Sequence, residues 1–167
     1  MGKRQARSAT SPPVGRFADA VNDRLRDGLA ERCARFEWLR EYRIAGTPVD
    51  VAGVTPDHLV VVELEWRRAD PADNTAKLFR HIHEGNLDRR VTVCQVFTRY
   101  YDLASGGVSS KRANAEFVGR IASRTLPDLS YHAVEFGLDP PKRGADRPTE
   151  WVGAADGVVD RIASLVG

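Results

Sequence analysis

At 167 residues, with 42% apolar and 29% charged side chains, the chain has the composition of an ordinary globular domain and not of a disordered or fibrous one. A net charge of +2 excludes a wholesale polyanion-coating role, although basic residues can still gather on one face. No apolar run is long enough to cross a bilayer, and the two cysteines, Cys33 and Cys94, lack metal-ligand spacing, so the expectation is a soluble protein of the reducing cytoplasm.

The stretch MGKRQARSATSPPVGR is basic, free of acids, interrupted by Pro12-Pro13 and without an apolar segment of signal-peptide type. Residues 1–15 therefore read as a flexible basic tail and 16–167 as a single domain. Phe17, Val21, Leu25 and Leu29 recur near helical spacing and predict a first helix over 17–34. Phe36, Trp38, Tyr42 and Ile44 share one face of a strand that Gly46 ends. A second strand over 47–54 and a third over 58–66 flank Thr55, Pro56 and Asp57, turn residues that predict a hairpin. Asp70 as cap, Pro71 at the first position and Asp73 in the first turn open a second helix, which Gly85 suits as a stop. A fourth strand over 91–99, a third helix over 111–126 ended by Pro127, and a fifth strand over 130–136 follow. Thr149 and Glu150 open a last helix with an apolar stripe of Val152, Val159, Ile162 and Val166. The order αβββαβαβα predicts an α/β three-layer sandwich, a mixed sheet covered by helices. Neither a G-x-G-x-x-G turn nor a P-loop is present.

The third strand, HLVVVELEW, is apolar on both faces and then carries Glu63 and Glu65 at its end. A strand apolar on both sides is covered on both sides, so these carboxylates fall at the covered end of a sheet. Residues two apart share a face, with Cβ atoms roughly 7 Å apart. A hairpin closed by Pro56-Asp57, or by the four residues from Thr55 to His58, pairs Val54 with Leu59, Ala52 with Val61 and Asp50 with Glu63. Opposed Cβ atoms lie about 4.5–5.5 Å apart, where like charges repel unless a cation compensates them. Mg²⁺ or Mn²⁺ needs only one or two protein carboxylates and a phosphate oxygen, and such an ion supports phosphodiester hydrolysis. Asp50, Glu63 and Glu65 are thus the candidate metal ligands; pairing with Arg67, Arg68 or another base is the plainer alternative.

With Pro48-Val49-Asp50 on the second strand and Glu63-Leu64-Glu65 on the third, residues 17–136 resemble the PD-(D/E)XK, or restriction endonuclease-like, superfamily. The resemblance implies a core of a helix, three strands, a helix and a strand, and a metal-dependent nuclease acting on nucleic acid, with DNA the expected substrate. It departs from the motif at Glu65, where the family usually has lysine; some type II restriction endonucleases carry such a Glu, and other members move the lysine to the following helix. On that helix Asn74, Lys77 and His81 lie along the border of a stripe formed by Thr75, Leu78, Phe79 and Ile82. Lys77 is the candidate replacement at the scissile phosphate, with Asn74 and His81 beside it. Glu31, on the first helix, reads as a surface residue, although helix acids serve as outer ligands in several families of this kind.

Arg67 and Arg68 follow the acids directly and are candidate phosphate contacts. Arg89-Arg90 and Lys111-Arg112 flank a segment with Tyr100, Tyr101 and Gly106-Gly107, read as a flexible loop able to stack on unpaired bases. Domains of this kind often pair to cut both strands, so a homodimer is the expected assembly if duplex is cut, and the last helix serves either dimer or core. The loss of the motif lysine supports a second reading, a catalytically inactive restriction endonuclease-like domain that binds nucleic acid or assembles with protein.

Overall fold

The computed structural model describes residues 14–167. The basic tail expected over 1–15 falls almost wholly outside the described residues, but Val14 and Gly15 belong to the first helix. The elements are α1 (Val14–Arg32), β1 (Glu37–Ile44), β2 (Thr47–Val54), β3 (His58–Glu65), α2 (Pro71–Glu84), β4 (Arg90–Thr98), α3 (Ser110–Thr125), β5 (Leu129–Phe136) and α4 (Trp151–Val166). A single 3₁₀ turn, Arg99–Tyr101, follows β4. The predicted order holds throughout.

One five-stranded mixed sheet runs in the order β1-β2-β3-β4-β5. β1, β2 and β3 form an antiparallel meander, while β3, β4 and β5 are parallel and are joined through α2 and α3. Parallel neighbours cannot be joined by a tight turn, which is why helices separate these strands in the chain. The sheet is covered on both sides. Val60, Val62 and Leu64 pack with Leu25 and Leu29 of α1 and with Val159 and Ile162 of α4. Leu59 and Val61 pack on the other side with Leu78, Phe79 and Ile82 of α2 and Ala122 of α3. β3 is buried along its whole length, as its two apolar faces require.

Turn chemistry sets the position of Asp50. Thr55 N–H donates to the His58 carbonyl at 2.9 Å, closing the connection over Pro56 and Asp57. The ladder that follows pairs Val54 with Leu59, Ala52 with Val61 and Val51 with Val62, the expected register. It stops there, because Leu64 N–H donates at 2.8 Å to the Asp50 carboxylate and not to a carbonyl of β2. On the β1 side, Glu41 faces Asp50 with φ at +52°, and the ladder skips this pair. β2 is thereby loosened from both neighbours at its acidic residue.

Two boundary details differ from the sequence reading. Gly85 stays right-handed at φ −69°, and the left-handed step that turns the chain out of α2 is taken by Asn86 at φ +44°. The apolar stripe of α4 is Ala155, Val158, Val159, Ile162 and Val166, whereas Val152 is 39% exposed. That stripe packs against α1 in the core, so α4 serves the fold with it. Cys33 and Cys94 are free and buried. Among the described residues, no helix is long and apolar enough to cross a membrane.

Candidate functional site

β3, β4 and β5 all finish at the end of the sheet where β2 begins, so Glu63 and Glu65 of β3 and Asp50 of β2 fall at the same end. A cleft of about 300 Å³ opens there between β2, β3 and α2. Asp50, Glu63, Arg68, Asn74 and Lys77 line it together with Glu41. Five of the eight residues singled out from sequence, Asp50, Glu63, Arg68, Asn74 and Lys77, therefore meet at one cavity. α2 delivers two of them, because Asp70 accepts from Asp73 N–H at 3.1 Å and Pro71 sits at the first helical positions, which fixes the start of the helix.

The acids are poorly compensated. Glu63 is 8% exposed, and its carboxyl is pushed well above the usual range, first by burial and then by the charges of Asp50 and Glu65. Burial also raises Asp50, against the opposing pull of the Leu64 N–H and of Arg68 and Arg40. Burial raises Glu65 too, moderated by hydrogen bonds from Gln95 and Asn74. The nearest cation is Arg68, whose Nε lies 3.4 Å from Glu65 Oε2.

Glu65 does not line the cleft. Its side chain is fully buried, and Oε1 accepts from Asn74 Nδ2 and from Gln95 Nε2, each at 2.8 Å. Oε2 is buried without a hydrogen-bond partner. Gln95 also donates to Thr75 Oγ1 at 2.7 Å and accepts from the Tyr131 hydroxyl at 2.7 Å. Glu65 is thus the outer end of a polar network reaching from α2 across β4 to β5. Sequence reading missed Gln95, although a lone amide in the buried strand RVTVCQVFT is a visible signal, and it missed that Gln95 lies beside Glu63 in the parallel ladder.

The remaining candidates are placed elsewhere. Arg67 does not line this cleft; its guanidinium carbon lies 5.3 Å from the centre of the Tyr100 ring. His81 Nε2 is hydrogen-bonded to Thr47 Oγ1 at 3.1 Å, beside the cleft but not in its lining. Arg89 donates to the Thr55 carbonyl and to the Tyr42 hydroxyl, and Arg90 opposes His58, so this basic pair sits at the opposite end of the sheet from the acids. Glu31 is exposed. The α1 residues that do approach the site are Asp19 and Asn22, which line a second cleft with Asp50, Arg67 and Arg68. Arg40 ties α1 to this corner, donating to the Asp50 carbonyl at 3.1 Å and to Asp23 at 2.7 Å.

Among the described residues, no group of three or more His, Cys, Asp and Glu side chains is placed to hold a metal ion. The donors that fit one are the Asp50 and Glu63 carboxylates, since a hard divalent cation accepts one or two of them with water or phosphate oxygens completing its shell. Glu65 Oε2, which has the Arg68 ion pair but no hydrogen-bond partner, is a further oxygen behind them. Lys77 is exposed at the cleft with no ion-pair partner among the described residues.

No protein-family model, curated protein or solved structure matches the chain. The class that the fold defines by itself is an α/β sandwich with a five-stranded mixed sheet and an acidic cleft at the ends of its parallel strands.

Proposed function

We propose that this chain is a metal-dependent nuclease of restriction endonuclease-like architecture, hydrolysing phosphodiester bonds of nucleic acid, with DNA as the first substrate to test. The single observation that carries the reading is the Asp50/Glu63 pair, a half-buried and a buried carboxylate lining one cleft that α2 also lines with Lys77, which has no ion-pair partner among the described residues. Burying two like charges side by side is costly, and a divalent cation is the chemistry that relieves it. Bound there, Mg²⁺ or Mn²⁺ would polarise the phosphodiester and acidify an attacking water. Asp50 and Glu63 hold the ion; Asn74 fixes Glu65 behind them. Lys77 and Arg68 neutralise the phosphate at the mouth of the cleft.

The purified chain, assayed with Mg²⁺ or Mn²⁺ on single-stranded, duplex and branched DNA and on RNA, tests this. Cleavage should require the metal and disappear in Asp50→Ala and Glu63→Ala, while Lys77→Ala should slow it by about 10²–10³-fold, the scale of one lost electrostatic donor. Metal-independent cleavage, or cleavage surviving both acid substitutions, would refute the assignment.

One observation favours a second reading, an inactive domain that binds nucleic acid. Glu65, which stands where the superfamily usually has lysine, is drawn into a buried amide network and does not reach the cleft. That reading expects oligonucleotide binding without cleavage of any substrate and without a metal requirement.

A further inference from the structure

The cleft does not end at the acids. Arg68 and Asp50 line both it and the second cleft on the α1 side, and Arg67 continues from that second cleft to Tyr100. Tyr100 is 40% exposed, a large aromatic on the surface directly beyond the ends of the parallel strands. Two cations attend its ring, Arg67 at 5.3 Å and Lys111 at 5.9 Å. Both are exposed, so either can swing off the ring towards a phosphate.

The platform is rigid beneath. Tyr100 meets Tyr101 edge-on at 5.1 Å and 85°, and Tyr101 is fully buried against Phe97 at 5.5 Å. The Tyr101 hydroxyl accepts from Arg68 N–H at 2.8 Å and donates to the Arg68 carbonyl at 3.2 Å. One tyrosine pair therefore fixes both the exposed ring and the backbone of the arginine that lines the acidic cleft. The segment after it, expected to be flexible, is closed on itself. Asp102 bridges Val108, and Ser109 N–H donates to the Tyr101 carbonyl at 2.7 Å. Arg112, 5% exposed, braces it from α3 by lying over Phe97 at 5.0 Å and 3.6 Å from Asp102.

We propose that Tyr100, flanked by Arg67 and Lys111, is a stacking platform for an unpaired base, and that the strand entering the acidic cleft is single-stranded. A base paired in a duplex has both faces covered by its neighbours, whereas an unpaired base offers a face to an exposed ring. Arg67 and Lys111 lie over the ring in the free protein, so an entering base takes the place of at least one of them and leaves it beside the phosphates that flank such a base. This rests on the nucleic-acid reading of the cleft but not on cleavage.

The test uses the full chain carrying Glu63→Gln, in EDTA, so that binding is read without hydrolysis, by anisotropy of labelled oligothymidine, oligouridine and a DNA duplex. Tyr100→Ala should weaken binding of single strands by about 5- to 150-fold, corresponding to about 1–3 kcal/mol for one stacked base. Duplex binding should be unchanged, and Tyr100→Phe should retain full single-strand affinity. Lys111→Gln should lower the salt slope for single strands by about 0.7. DNA and RNA strands that both respond to Tyr100 support the platform and report which sugar is preferred. Equal losses on single strand and duplex, failure of Phe to substitute, or no strand binding at all would overturn it. Failure of the nuclease assay with a Tyr100-dependent single-strand preference leaves the platform standing on a non-cleaving protein; persistent cleavage indifferent to Tyr100 removes the platform alone.

Discussion

Replacing Glu63 by Gln keeps the shape of the side chain and removes the more buried of two adjacent carboxylate charges. At the ~5 Å separation of opposed strand residues and an effective dielectric of about 20, two ionised carboxylates repel by about 3 kcal/mol. Arg68 and proton uptake by the pair relieve part of this, so the repulsive part of the stabilisation expected from Glu63→Gln in EDTA at neutral pH is at most about 3 kcal/mol, to which the relieved burial of the charge adds. For a 167-residue chain each 1 kcal/mol moves Tm by about 2–4 °C, so relieved repulsion alone raises it by up to about 6–12 °C. The pH dependence has a definite sign. Because the Glu63 carboxyl is raised in the folded state, the native protein holds its proton more tightly than the unfolded chain does. The wild type therefore loses stability as pH climbs from the ordinary carboxylate range through the raised native value, and the advantage of the variant is absent below that window and complete above it. Mg²⁺ at about 100 times its Kd should add about 2.7 kcal/mol to the wild type, about 5–11 °C, and nothing comparable to the variant. Scanning calorimetry across pH, with EDTA or Mg²⁺, reads all of this. A Glu63→Gln protein less stable than wild type at every pH would show that the acid is already satisfied without a cation, and the physical basis of the metal site would be gone.

Gln95→Leu should destabilise the chain by about 2–5 kcal/mol in urea unfolding, since it strips Glu65 Oε1, Thr75 and the Tyr131 hydroxyl of a buried partner at once; a loss under about 1 kcal/mol would mean that these groups find water instead. Gly119→Ala on α3 should cost about 1–3 kcal/mol because its Cβ would stand 2.4 Å from the Tyr131 ring, whereas Gly157→Ala on α4, with nothing within 4 Å, should gain about 0.5–1 kcal/mol; equal effects would refute the packing at Gly119.

Much of this architecture is written in local sequence. Apolar alternation on both faces of HLVVVELE demanded a covered internal strand, and it is buried at every position. Pro56-Asp57 set a connection that leaves one register, whose continuation past the last ladder pair, Val51 with Val62, puts Asp50 opposite Glu63. Asp70 and Pro71 start α2 at the residue that places Asn74 and Lys77 at the cleft. These features depend on neighbours a few residues away, where periodicity and turn chemistry are decisive. Contacts between distant segments were settled only by the tertiary structure. Glu65 was read as a partner of Asp50 and Glu63, but Gln95, thirty residues later, arrives on the adjacent parallel strand and holds its carboxylate beneath the cleft. Arg89-Arg90 and Lys111 look alike as basic residues near a tyrosine-bearing segment. Strand direction carries the first pair to the far end of the sheet and leaves Lys111 beside Tyr100. Charge and spacing name the residues able to do the chemistry, and the packing of separate strands selects which of them share a cavity, because a side chain's partner is set by where its strand ends and not by its place in the chain.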